Sequence, residues 1–243
     1  MKRLLLLAVL LGCLVLAACS TTANLLDASL LKDTSLLNDT PCAAPCWRGI
    51  VPGQTSWRDV RTIIEDDEQF GTADEIKDEN SEIRMISFSM KDSATACCRI
   101  FSSDDGKTVQ RMLMLLAPDQ VTLGDVIAKY GDPTYVAGTG YPDAGSDQAL
   151  VALFYPNVPL VVHAYAAGMK DGELTEASQI VGIFYITQAD LQEGIEEAVK
   201  TSGLHTWQGY RKLAGWLDAA PDVTPEIQVE ATADATPDAT ANP

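Results

Sequence analysis

The sequence predicts an α+β protein: two tandem units, each a helix followed by antiparallel strands, then C-terminal helices and a disordered tail. Three observations predict this. Short apolar runs alternate with turn residues, as antiparallel strands require. Two Ser/Thr-x-x-Asp pairs, at Ser56 and Thr122, each open a helical pattern. The stretch Pro52-x-Gln54-x-Ser56-x-x-Asp59-Val60 returns as Pro118-x-Gln120-x-Thr122-x-x-Asp125-Val126, every position displaced by 66 residues. The chain accordingly divides into a leader (1–18), a tether (19–40), a first repeat (41–117), a second repeat (118–187), C-terminal helices (188–218) and an acidic tail (219–243).

The leader comes first in the chain and decides the compartment. Lys2 and Arg3 precede an apolar run, Leu4 to Leu16, that is too short to span a bilayer. This is an export signal. It ends in Leu16-Ala17-Ala18-Cys19, which resembles a lipobox, the site cut by lipoprotein signal peptidase. That resemblance implies a lipidated N-terminal Cys19 and a chain held on the extracytoplasmic side of a cell membrane, at an outer membrane or cell surface according to the envelope. Leu10-Leu11-Gly12-Cys13 is a poorer match because too little apolar sequence precedes it.

The 243 residues carry a net charge of −17, which becomes −19 once Lys2 and Arg3 leave with the leader. Such a surface argues against nucleic acid as a partner and against adhesion to anionic lipid. Hydrophobic residues make up 47% of the chain, enough for a real core. Four cysteines remain after Cys13 and Cys19: Cys42, Cys46, Cys97 and Cys98. In an exported protein they are disulfide candidates. A Cys42–Cys46 loop is the preferred pairing. In a regular strand Cys97 and Cys98 would point to opposite faces, and a ring between neighbours is strained. A cross-link from the Cys42/Cys46 segment to the Cys97/Cys98 strand is the rival, and a four-thiolate metal site fits poorly with zinc-knuckle spacing.

In order, residues 20–40 read as polar tether with scattered leucines. Pro41 to Pro52 is a stiff lead-in whose Trp47 and Ile50 point to the core. Ser56 caps a helix carrying Val60, Ile63 and Ile64, and the acidic run Glu65 to Glu68 leads into a polar loop reaching Asn80. Strands follow at Ile83 to Met90, Ala96 to Phe101 and Thr108 to Leu116, the last two joined through Asp105-Gly106, a hairpin signal. Thr122 caps the second helix, stopped at Gly131 with Pro133 beyond. A Gly-rich loop then leads to strands at Ala149 to Tyr155, Leu160 to Ala166 and Gln179 to Ile186. Thr187 and Asp190 begin a third helix with Leu191, Ile195, Ala198 and Val199 on one stripe, and Trp207 to Leu217 suggests a last short one. From Pro221 the chain lacks Lys, Arg and aromatics and reads as disordered.

Gly49 to Val60, and Thr122-x-x-Asp125-Val126-x-x-x-Tyr130-Gly131-Asp132-Pro133, resemble the Gly-Met-Thr…Val…Leu-Gly-x-Pro signature of small envelope lipoproteins of the SmpA/OmlA type. They are also similar to the duplicated β-lactamase-inhibitor-protein fold. The first match has Gln69-Phe70-Gly71-Thr72 where Gly-x-Pro is expected, and the second has Asp119-Gln120-Val121-Thr122 in place of the opening Gly-Met-Thr. The likeness covers about residues 50–186 by architecture and about a dozen positions by motif. It implies protein binding on a sheet face, or scaffolding, without catalysis.

The chemistry is correspondingly sparse. Only His163 and His205 are present, and no nucleophile elbow, zinc-protease helix or phosphate loop occurs. Asp59 and Asp125 are accounted for by capping. The sequence predicts no enzyme, no cofactor and no metal, and a protein partner of unknown identity. Tyr135, Tyr141, Tyr165 and Trp207 are the binding candidates, from a wider set including Tyr155 and Tyr185, because Tyr and Trp anchor interfaces. The runner-up function is a solute- or ion-binding lipoprotein of a transport or sensing system.

Overall fold

The computed structural model describes residues 25–140, 148–168, 171–201 and 203–223. Cys19, Tyr141 and the tail beyond 223 lie outside them. The described residues form an α+β fold with one nine-stranded antiparallel sheet; with the strands numbered along the chain as given next, the order is β1-β2-β3-β4-β8-β7-β6-β5-β9. The strands are β1 Asp74–Lys77, β2 Arg84–Ser89, β3 Ala96–Ser102, β4 Val109–Leu115, β5 Tyr135–Gly140, β6 Ala149–Tyr155, β7 Leu160–Ala166, β8 Ile180–Ile186 and β9 His205–Thr206. The helices are α1 Ser35–Asn38, α2 Trp57–Glu65, α3 Leu123–Tyr130, α4 Gln188–Thr201 and α5 Ala214–Leu217.

Two four-stranded meanders, β1–β4 and β5–β8, meet where β4 pairs with β8, with Leu113 opposite Phe184 and Met114 opposite Ile183. Each meander follows a capped helix, and the segments leading into these two helices make the same hydrogen bonds. Ser56 bridges Thr108, the residue before β4, while Thr122 bridges Gln179, the residue before β8. The Trp57 amide donates to Lys107 (2.7 Å) and the Leu123 amide to Ser178 (2.8 Å). Thr55 accepts from Val109 (2.9 Å) and Val121 from Ile180 (2.9 Å). Gly53 and Asp119, three residues before each cap, both hold positive φ, 78° and 62°. At α3 the Thr122–Asp125 capping box closes in both directions.

α2 and α3 cover one face of the sheet. Trp57, Val60, Ile64, Leu123 and Val126 pack there with Phe88, Ile100, Met112, Met114, Val162 and Tyr185. The leucines preceding Pro41 join this core. Leu30, Leu31 and Leu36 are buried, and the Leu31 amide donates to Leu115 (3.1 Å). The part of the 19–40 stretch from Leu25 on is therefore packed structure. On the opposite, outer face, α4 lays Leu191, Ile195 and Ala198 over Tyr135, Phe154, Val161 and Ile186.

Four further readings change. Residues 74–77, expected within a polar loop, form the edge strand β1, whose four residues are all exposed. A segment with a single apolar residue, Ile76, lacks the alternation that marks a strand. Residues 135–140, expected in a Gly-rich loop, form β5, because pairing with β6 from Tyr135–Phe154 to Gly140–Ala149 overrides the low strand preference of glycine. Trp207 to Leu217 holds a helix only at Ala214–Leu217. Cys97 and Cys98 do not face opposite ways. The β2–β3 register passes from Phe88–Cys98 to Ser89–Ala96, leaving Cys97 as an extra residue in a bulge. A bulge breaks the alternation of faces, so both cysteines are buried. Cys97 and Cys98 stand at disulfide distance from each other, as do Cys42 and Cys46.

Candidate functional site

Alternation along β2–β4 sends Ile86, Ile100, Met112 and Met114 into the core and places Met85, Ser87, Arg99, Phe101, Arg111 and Leu113 on the outer face. Register aligns these in rows: Met85 beside Phe101, Phe101 beside Arg111, and Arg99 beside Leu113. The α4 stripe packs with residues of β5–β8 and with Leu204 and Val223, and among the described residues its cluster includes none from β1–β4. Met85, Phe101 and Leu113 stay half-buried, and Arg99 and Arg111 exposed. The Arg111 guanidinium lies 5.1 Å from the Phe101 ring centre.

Where this open half meets α4 there is a hollow of about 240 Å³, lined by Arg111, Ala152, Val161, His163, Phe184 and Asp190 among others. His163 sits across from Gly182, whose missing side chain leaves room beside the imidazole. The imidazole meets the Phe184 ring edge-on at 5.5 Å. Asp190 occupies the first turn of α4. Its amide takes the cap from Thr187 Oγ1 (3.1 Å), and its Oδ1 accepts from Gln110 Nε2 (2.7 Å). Its Oδ2 is buried without a hydrogen-bond partner. In α3, by contrast, Asp125 Oδ2 accepts from the Thr122 amide (3.0 Å). The hollow therefore combines apolar walls, one free carboxylate oxygen and one guanidinium.

Burial pushes the His163 imidazole down to about 4 from its ordinary 6.5. The native chain then refuses a proton that the unfolded chain accepts below pH 6.5. Stability is therefore full above pH 6.5 and falls as pH drops toward 4. Because carboxylates in general begin to take up protons toward the lower end, the contribution is read by difference. His163→Gln should flatten the fall in unfolding free energy between pH 6.5 and 4.5, measured by urea titration. A slope equal to that of the native chain would contradict it.

The four aromatic candidates are not brought together. Tyr135 is buried beneath α4. Tyr165 is half-buried on the outer face, paired with Leu150. Trp207 stacks on Trp216 at 5.6 Å near the β9 edge. Tyr155 and Tyr185 belong to the inner core. His205 lies 3.9 Å from Asp222, beyond hydrogen-bond reach. Among the described residues no three His, Cys, Asp or Glu side chains form a metal-binding group, and no helix is long and apolar enough to cross a membrane.

Sequence reasoning missed Phe101, Arg99, Arg111, Leu113 and Asp190. A signal was present in Arg99-Ile100-Phe101 and Arg111-Met112-Leu113-Met114. The solvent phase of these strands carries Phe and Leu beside each Arg, where a plain surface strand carries polar residues only.

No protein family, curated protein or solved structure matches this chain.

Proposed function

We propose that the chain is a lipid-anchored, extracytoplasmic and non-catalytic protein-interaction module, with Cys19 as the lipidated residue. The outer face of β2–β4 and the adjoining hollow form its contact surface. The observation that carries the reading is the asymmetry of cover: α2, α3 and the lead-in residues Leu30, Leu31, Trp47 and Ile50 pack on the inner face of both meanders, whereas among the described residues α4 packs the outer face only over β5–β8. Apolar Met85, Phe101 and Leu113 with flanking arginines match the composition of an interface, in which Arg and aromatic residues are enriched and water is displaced from the centre. The hollow gives a partner side chain a place to anchor. The lipobox at Leu16 to Cys19 supports the address, since several acyl chains on one cysteine hold a protein stably at a membrane.

We further read the two meanders as copies of one ancestral unit, in line with the resemblance to the SmpA/OmlA and β-lactamase-inhibitor-protein architectures. The constant 66-residue displacement supports this. So do the matching hydrogen bonds ahead of α2 and α3 and the positive φ at Gly53 and Asp119.

The test is photo-crosslinking in living cells from Leu113, with Glu79, in the turn between β1 and β2, as control. One dominant protein adduct from Leu113, absent from Glu79 and lost in Cys19→Ser, is the expected result. Equal adduct patterns from both positions would overturn the reading.

A second reading rests on the hollow itself. Asp190 Oδ2 and Arg111 across apolar walls suit a small solute with a polar group at each end. An increase in melting temperature with one such solute, abolished by Asp190→Asn, would favour it over a protein partner.

A further inference from the structure

A second concave region lies away from the outer face, at the start of α2. It encloses about 420 Å³, and its lining includes Trp57, Arg58, Arg61, Glu75, Arg84 and Lys107. These residues come from three separate places: α2, the β1–β2 edge and the β3–β4 turn. In a chain of net charge −17, four cations here face a single carboxylate. Even with Glu65 and Asp105, which pair with Arg61 and Lys107 from outside the cleft, and with the Lys77–Glu82 pair beside Arg84, positive charge remains in excess.

The internal geometry shows what the one carboxylate does. Glu75 Oε1 accepts from Trp57 Nε1 at 2.9 Å and lies 3.7 Å from Arg84 Nη1. Its Oε2 lies 3.4 Å from Arg61 Nη1. One carboxylate thus gathers two guanidiniums that would otherwise repel, and leaves much of their donor capacity unused. Arg84 Nε is buried with no acceptor, a costly state for a charged donor. Arg58 has no ionic partner among the described residues. Gly106 fixes the third wall. At φ +70°, a Cβ there would come within 2.5 Å of the Glu82 carbonyl and 3.4 Å of Arg84 Nε, so only glycine lets the turn carrying Lys107 lie this close to Arg84.

We propose that this cleft binds a phosphate group, either free or esterified. A planar carboxylate is satisfied by one guanidinium fork. Donors arriving from three directions around a net positive cleft suit a tetrahedral oxyanion with several acceptor oxygens. None of the residues belongs to the proposed contact surface, so the two proposals stand or fall separately.

The experiment titrates the purified, lipidated mature chain in detergent with inorganic phosphate, following melting temperature and bound phosphate. Acetate at matched ionic strength is the control. The expected result is saturable binding that acetate does not reproduce and that Arg84→Gln and Arg58→Gln each weaken about tenfold, the loss of one charge-assisted contact. Arg99→Gln, on the outer face, should leave it unchanged. Arg58 is exposed, so its variant keeps the fold if the Arg84 variant does not. Glycerol 3-phosphate and glycerophosphocholine then separate the sources: preference for the monoester assigns a terminal phosphate, and equal binding of the diester assigns a headgroup or polymer linkage. Equal responses to phosphate and acetate, or binding indifferent to Arg58→Gln and Arg84→Gln, would overturn the proposal.

Discussion

Replacing Trp47 by alanine should cost about 3–5 kcal/mol, the range for removing a large buried aromatic ring. Trp47 is 1% exposed and links the N-terminal lead-in to the first meander. Its ring lies 6.0 Å from Phe70 and 6.3 Å from Phe88. Its Nε1 donates to Asp33 Oδ2 at 3.1 Å. Arg48 completes the cluster, with its guanidinium 5.3 Å from the Trp47 ring centre and 4.8 Å from that of Phe70, and it ion-pairs with Asp67 and Asp33. Truncation would leave a cavity and also strip Asp33 of a donor. In a domain of this size the melting temperature should fall by about 10 °C. Trp47→Phe keeps an aromatic ring but loses part of the indole and its Nε1 donor, so it should lose less, about 1–3 kcal/mol. An unchanged melting temperature for Trp47→Ala would show that the lead-in segment does not hold the meander.

The second large effect lies at the seam between the two meanders. Met114 is fully buried and sits between Cys98 on β3 and Ile183 on β8. Met114→Asp would bury an unpaired carboxylate at the join, costing several kcal/mol beyond the lost packing. That approaches the whole stability of a typical domain, about 5–15 kcal/mol. Since one inner core runs across both halves, both should unfold together. Circular dichroism should show the entire β signal lost in one step, whereas Met114→Leu should cost less than about 1.5 kcal/mol. A surviving transition of half the amplitude would mean that each meander folds alone.

These two residues also mark how much the sequence disclosed. Trp47 and Ile50 were legible as core because prolines and cysteines bracket them in an otherwise polar region. The caps at Ser56, Thr122 and Thr187 were legible because a hydroxyl and an acid three residues apart satisfy orphan helix amides, and each does accept the expected amide. The hairpin at Asp105-Gly106 was legible from turn chemistry alone. Long-range pairing was not. β1 and β5 are strands only because β2 and β6 supply partners, and nothing local in Asp74 to Lys77 records that. The bulge at Cys97 is likewise a property of register between two strands, so the cysteines' shared face could not be read from their adjacency. The candidate site suffered most. Which face of the sheet α4 would cover is a tertiary fact, and it buried Tyr135 while leaving Phe101 and Leu113 open. Asp190 was legible as a capping residue, but not as the one whose carboxylate turns away from its cap toward Gln110.

On the proposed reading, a protein partner at a membrane covers the outer face of β2–β4 in the cell. Side-chain footprinting by hydroxyl radicals tests this most directly, comparing native membranes with the purified chain. Met85, Phe101 and Leu113 should be labelled in the purified chain and protected in membranes. Ile76, 57% exposed on the edge strand, should be labelled equally in both. Equal labelling of Met85, Phe101 and Leu113 in the two samples would contradict the claim.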